Sequence, residues 1–212
     1  MIFDIIQTIS SLSASYEARN AEGVLGTACL SNNFLHGGAC TCFFGGEPYT
    51  LSYSQAKQAA SWFKPRQEKT GVPYDISKNS QIIGDISIRV SDGGLLSRFD
   101  YYSMSLCGRE YSMYKIGLGK AGMKYPIYNN ARQIALLEKD VTVYNNLDTY
   151  HATTLDTNVG LVTFLFCLYL DMREFSNRGR IVCNSVEKSY CYTTKRQLKA
   201  MYNPNFKEQI EK

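Results

Sequence analysis

The sequence predicts a mainly β (α+β) fold, a closed antiparallel barrel of about 12 strands around a central hydrophobic helix at about residues 157–172. Three observations carry this expectation. First, no charge stands between Asp156 and Asp171, and Val159, Leu161, Val162, Phe164, Leu165, Phe166, Leu168 and Leu170 go right around a helical wheel. A helix that is apolar on every side has to be enclosed on every side. Second, most of the remaining chain reads as short alternating segments joined by very short turns, which implies an antiparallel meander. Third, closing such a meander removes its edges and gives the apolar helix an enclosure.

The elements follow in order. Residues 1–12 are apolar enough for a short helix or a first strand. Tyr16 to Leu30 then reads as strand, polar turn, strand. A shift of 58 residues without a gap places Tyr16 on Tyr74, Val24 on Ile82, Leu25 on Ile83 and Gly26 on Gly84, so hairpin 16–30 is matched by 74–90. Gly37, Gly38, Gly45 and Gly46 punctuate strands at 39–44 and 49–53. The segment 54–63, rich in helix formers and followed by Pro65, reads as a surface helix. Further strands are expected at 98–107, 110–118, 124–128, 133–138, 141–145 and 149–155, separated by turn residues such as Cys107-Gly108, Asn129-Asn130 and Asn145-Asn146. Asp156, Thr157 and Asn158 are residue types that accept hydrogen bonds from free amides at a helix start. The 14 uncharged residues from 157 to 170 fall short of the roughly 20 needed to cross a bilayer, so no transmembrane segment is expected.

Charge is distributed unevenly. Residues 1–170 carry 14 basic and 14 acidic groups, and residues 171–212 carry 9 and 5, so the net charge of +4 lies entirely in the tail. The reading is therefore one domain at 1–175 followed by a basic C-terminal extension at 176–212. An acid at Asp4, where a leader would be basic, and seven cysteines, an odd number, indicate a cytoplasmic protein with reduced thiols. Peripheral contact with a membrane is the alternative placement.

Little in the chain carries catalytic chemistry. Gly117-Leu-Gly119-Lys-Ala-Gly122 matches a dinucleotide fingerprint, but Pro126 follows where a helix would have to present its amides to a pyrophosphate, so a hairpin turn is expected. Cys40 and Cys42, with His36 nearby, lack a second ligand pair, and no metal or cofactor is expected. His36 and His151 sit in no nucleophile signature. Asp140 and Asp148 could meet across a turn. The sixteen tyrosines fit alternate strand positions, and without a basic groove among them no nucleic-acid partner is expected.

Tyr114-Lys-Ile-Gly-Leu-Gly, Tyr125-Pro-Ile-Tyr, Gln133-Ile-Ala-Leu-Leu-Glu-Lys, Val143-Tyr-Asn-Asn and the apolar stretch ending Leu168-Tyr-Leu-Asp171 resemble the tubby carboxy-terminal-like group, which includes the LURP-one-related and phospholipid-scramblase-like proteins. The resemblance covers about residues 15–172 and implies a twelve-stranded barrel around a central helix. About 40 residues continue past that helix, where the family offers no counterpart. The implied function is a non-catalytic binding or scaffold module for a lipid headgroup or a protein partner. An enzyme whose site is assembled from distant residues is the alternative. Lys115, Lys120 and Lys124, on or beside the glycine-rich hairpin, are the candidate ligands for an anionic headgroup, with Lys195, Arg196 and Lys199 as a second cluster. Glu110, Glu138 and Asp140 on adjacent strands are expected to offset their field.

Overall fold

Period-two burial organises most of the chain. In strand β2 (Ala14–Asn20), Ala14, Tyr16 and Ala18 are buried while Ser15 and Glu17 are half-exposed, as a one-sided sheet requires. The computed structural model describes residues 1–10, 13–31, 38–65, 69–92, 97–175 and 184–210. His36, Gly37 and Cys183 lie outside these residues.

The first nine strands are β1 (Ile2–Ser10), β2, β3 (Gly23–Ser31), β4 (Ala39–Phe44), β5 (Glu47–Tyr53), β6 (Gly71–Lys78), β7 (Gln81–Val90), β8 (Asp100–Leu106) and β9 (Arg109–Met113). They pair in sequence order as an antiparallel meander. β10 (Ile116–Gly117), β11 (Met123–Asn129), β12 (Arg132–Lys139), β13 (Thr142–Tyr144), β14 (Thr149–Thr154) and β15 (Val186–Lys188) follow. β11 pairs with both β9 and β12, and β14 pairs with both β12 and β1. Those pairings close an antiparallel barrel of twelve strands, β1 to β9 with β11, β12 and β14. The helices are α1 (Gln55–Trp62), α2 (Thr157–Leu170) and α3 (Arg196–Lys199).

Three local expectations need correction or completion. Residues 1–12 contribute a strand, β1, because its alternating Phe3, Ile5 and Gln7 turn inward between two partner strands. The strand expected at 110–118 is interrupted at Tyr114 and Lys115, so that β9 and β10 occupy separate parts of one edge of β11. The strand expected at 141–145 leaves the barrel, and β13 pairs instead with β15 from the C-terminal region.

The 58-residue correspondence has an exact counterpart in register. Ala18 faces Gly26 and Ile76 faces Gly84, with a register shift directly after Ala18 and directly after Ile76. Gly45 N–H donates to Leu25 at 2.9 Å, and Cys107 N–H to Ile83 at 2.8 Å. A third unit, not evident from sequence, repeats the pattern: Ile127 faces Ala135, the register shifts after Ile127, and Leu155 N–H donates to Ile134 at 3.0 Å. A methyl group on Gly84 would lie 2.0 Å from the Ser105 carbonyl oxygen, and on Gly26 2.5 Å from that of Phe43, which explains the small residue at this place.

The third unit departs from the others at one point. Where the first two turn tightly through Gly45-Gly46 and Cys107-Gly108, all at positive φ, the chain after Leu155 leaves the sheet and starts α2. Asp156 caps this helix by accepting from Val159 N–H at 3.0 Å. Its residues Phe164 through Leu170 are all fully buried. Phe164 packs on Phe44 of β4 at 5.4 Å between ring centroids, and Tyr169 on Tyr74 of β6 and Tyr102 of β8 at 5.6 and 6.0 Å. No helix among the described residues is long and apolar enough to cross a membrane.

Residues 184–210 run back over the sheet. Gly119 N–H donates to Cys191, Thr193 N–H to Gly117, and the Tyr128 hydroxyl to the Met201 carbonyl, each at 2.8 to 2.9 Å. Phe206 is buried.

Candidate functional site

After Leu170 the helix widens into a π-helical turn, Asp171–Phe175, a deviation often found at functional sites. The wider turn carries Asp171, Glu174 and Phe175 into a group of polar side chains. Asp171 is completely buried, and its carboxyl accepts from the Tyr16 hydroxyl at 2.5 Å and from the Tyr150 hydroxyl. Asp148, 2% exposed, neighbours Asp171 and pairs with Lys139, which is 5% exposed. The Lys139 ammonium also lies over the rings of Phe175, at 4.6 Å, and Tyr150, at 5.5 Å. Gln7 on β1 fixes the Asp148 backbone, accepting from its N–H at 3.1 Å and donating its own N–H to its carbonyl at 2.9 Å. Beside this group, Glu174 accepts from the Tyr102 hydroxyl and pairs with Lys115.

Two buried carboxyls and one buried ammonium leave an excess of negative charge in a low-dielectric setting. Burial first, and then the neighbouring Asp148, push the Asp171 carboxyl up to about 6, against the lowering effect of the two tyrosine hydroxyls and Lys139. Burial also raises Asp148, Tyr16, Tyr150 and the Cys167 thiol. The C-terminal end of α2 adds to the cost of a charge at Asp171, since a helix dipole disfavours anions there.

This arrangement has a pH consequence. An Asp171 carboxyl with an unfolded value near 3.8 and a folded value of about 6 favours the folded state most below pH ~4, and that contribution, about 3 kcal/mol, is lost as pH rises through ~6. Asp171→Asn removes the titration. The expected result is a difference in Tm between wild type and this variant that changes between pH ~4 and ~6 and is flat at higher pH, measured by calorimetry. A constant difference over that range would show that Asp171 is ionised throughout.

A cleft of about 200 Å³ reaches this group from outside, lined by Lys139, Asp148, Glu174, Phe175, Glu187 and Lys188 among others. Lys139, Asp148 and Glu174 are already paired with one another or with Tyr102 and Lys115.

The sequence-selected lysines lie close along the chain fold but face separate partners. Lys115 pairs with Glu174, and Lys124 pairs with Glu138, which also holds Lys207 of the tail. Lys120 is exposed on the 3₁₀ turn Gly119–Ala121. Lys195 donates to the Arg98 carbonyl. Gly117 ends β10, and Leu118 to Gly122 form the turn to β11, which follows Gly122 directly. Cys40 and Cys42 are both fully buried, and no cluster of metal-ligating side chains occurs among the described residues.

Asp140 and Asp148 do not meet. Asp148 turns inward to Lys139, whereas Asp140 turns outward to His151, whose Nε2 lies 3.0 Å from its carboxylate and whose Nδ1 lies 2.7 Å from Asp4. The two carboxylates raise the His151 pKa against the opposing effect of partial burial. With both ring nitrogens engaged, this imidazole has no atom left for a substrate.

Sequence reasoning did not select Asp171, Lys139 or Tyr150. One signal was available, a carboxylate placed directly at the end of an all-apolar helix, where the dipole opposes it. No family model, curated protein or solved structure matches the chain.

Proposed function

We propose that this chain is a non-catalytic binding or scaffold module of tubby-like architecture, in which α2 runs through the barrel, and that its partner is another protein. The observation that supports this reading is the burial of α2: side chains from Phe164 to Leu170 have no solvent exposure, and the rings of Phe164 and Tyr169 meet rings from β4, β6 and β8, as a helix occupying the interior would. An interior occupied in this way leaves recognition to the outer surface. The polar groups around Asp171 are engaged with each other, and His151 is held by two carboxylates, so neither of these two groups offers a free acid or base to the alternative of an enzyme with a dispersed site.

A protein partner is favoured over an anionic headgroup because Lys115 and Lys124 are neutralised by Glu174 and Glu138. Membrane attraction is worth about 1 kcal/mol per basic residue near the surface, and Lys120 alone cannot hold a protein there. In sedimentation with phosphatidylcholine vesicles, with and without phosphatidylserine at low salt, the chain is expected to stay in the supernatant. Pelleting that requires phosphatidylserine and is abolished by Lys115→Ala, Lys120→Ala or Lys124→Ala would replace the protein partner with a headgroup.

A further inference from the structure

Between Glu22 and Lys57 the chain holds a single charged residue, Glu47, although 20% of all its residues are charged. This stretch supplies β3, β4 and β5. Their inward positions are buried, and their outward, exposed or half-exposed positions form two rows across the sheet, Thr27–Phe43–Pro48 and Cys29–Thr41–Thr50. Glu47 stands at the turn between β4 and β5 and is paired with Lys78 at 3.3 Å. The outer face of three adjacent strands is therefore free of charge, where a face kept in water ordinarily carries both signs. This face also has relief. Phe43 is 50% exposed, and beside it lies an open hollow of about 350 Å³ lined by Thr8, Ser15, Thr27, Cys29 and Thr41 among others. The charged residue at its border, Glu17, is held by Arg19 at 2.6 Å.

We infer that two copies of this chain associate through this face about a two-fold axis. Such a contact sets every charge against its own counterpart, so a charged patch repels itself and an uncharged one does not. A projecting ring next to a hollow on the same patch is self-complementary: after a half-turn, Phe43 of each copy meets the hollow of the other. The extent is adequate as well. Strands β1 to β5, ~4.8 Å apart and ~25 Å long, present ~600 Å² in plan before side-chain relief is counted, against ~800 Å² per partner in a standard interface. A face of this size fits a dimer that forms at micromolar concentration. Self-association here does not require the protein partner proposed above.

Analytical ultracentrifugation of the full chain under reducing conditions, from micromolar to near-millimolar concentration, is expected to show a monomer–dimer equilibrium. Phe43→Glu and Thr41→Lys set like charges against each other across the axis, and each should raise the dissociation constant by about tenfold or more. Both side chains are exposed in the single chain, so Tm should stay close to that of wild type. Trp62→Glu, which charges an aromatic residue 67% exposed at the end of α1, should leave the equilibrium unchanged. A second measurement locates the contact. With iodoacetamide in excess, alkylation of Cys29 should slow as the protein concentration rises, while that of Cys107, exposed at the turn between β8 and β9, stays constant. A monomer at every concentration overturns the proposal and leaves this face to a different protein. A dimer that Trp62→Glu weakens as much as Phe43→Glu, or in which Cys29 is not protected, overturns it too.

Discussion

Leu165→Asp is expected to abolish cooperative folding, whereas Leu165→Met is expected to cost less than about 1.5 kcal/mol. Leu165 is fully buried in the middle of α2, between Phe164 and Phe166, which are also fully buried. A carboxylate at this depth loses its hydration with no cation in reach, and it can remain only by taking up a proton, which still leaves an unsatisfied hydroxyl in an apolar setting. The penalty of several kcal/mol is comparable to the whole stability of an ordinary domain. Methionine keeps the volume and the apolar character of leucine, so it separates the effect of charge from that of disturbing the packing. Urea unfolding followed by far-ultraviolet circular dichroism checks both variants. A wild-type transition in Leu165→Asp would mean that this face of α2 is wet.

Lys139→Met should be the most damaging single change in the polar group, at about 3–5 kcal/mol. Removing the ammonium leaves Asp148 buried beside Asp171 with no positive charge to offset either carboxyl. The double variant Lys139→Met with Asp148→Leu should recover much of this loss, because it removes the isolated charge together with its partner. A double-mutant cycle from urea titrations measures the coupling. Additive losses would show that water, entering through the cleft at Glu174 and Phe175, already solvates the pair.

In the C-terminal tail, charge in the sequence does not tell what the charges touch. Residues 176–212 read as a basic extension, and in the fold Lys207 is tied to Glu138 and Lys195 to a backbone carbonyl, while Phe206 is buried. The strand at 142–144 is the same lesson in another form. Its alternation is legible, but its partner is β15, some 40 residues later, and no local pattern encodes a pairing between two such short segments.

By itself the sequence determined the elements whose signals are local. Alternation of apolar and polar residues gave most of the strands, and the turn residues at Gly45-Gly46, Cys107-Gly108 and Asn129-Asn130 gave their connections. The unbroken apolar circumference of 157–170 required a buried helix, and the 58-residue correspondence pointed to equivalent hairpins whose bulges and close backbone approaches share one register. Only the tertiary structure decided which strands close the barrel, because β1 meets β14 across more than 140 residues and register over such a distance is set by packing. It also decided which charges matter. Asp140 and Asp148 look alike in sequence, but one faces water and His151 while the other is buried with Lys139 and Asp171. Hydration and Coulomb energy depend on depth and on neighbours brought together by the fold, and neither quantity is a property of the residue type.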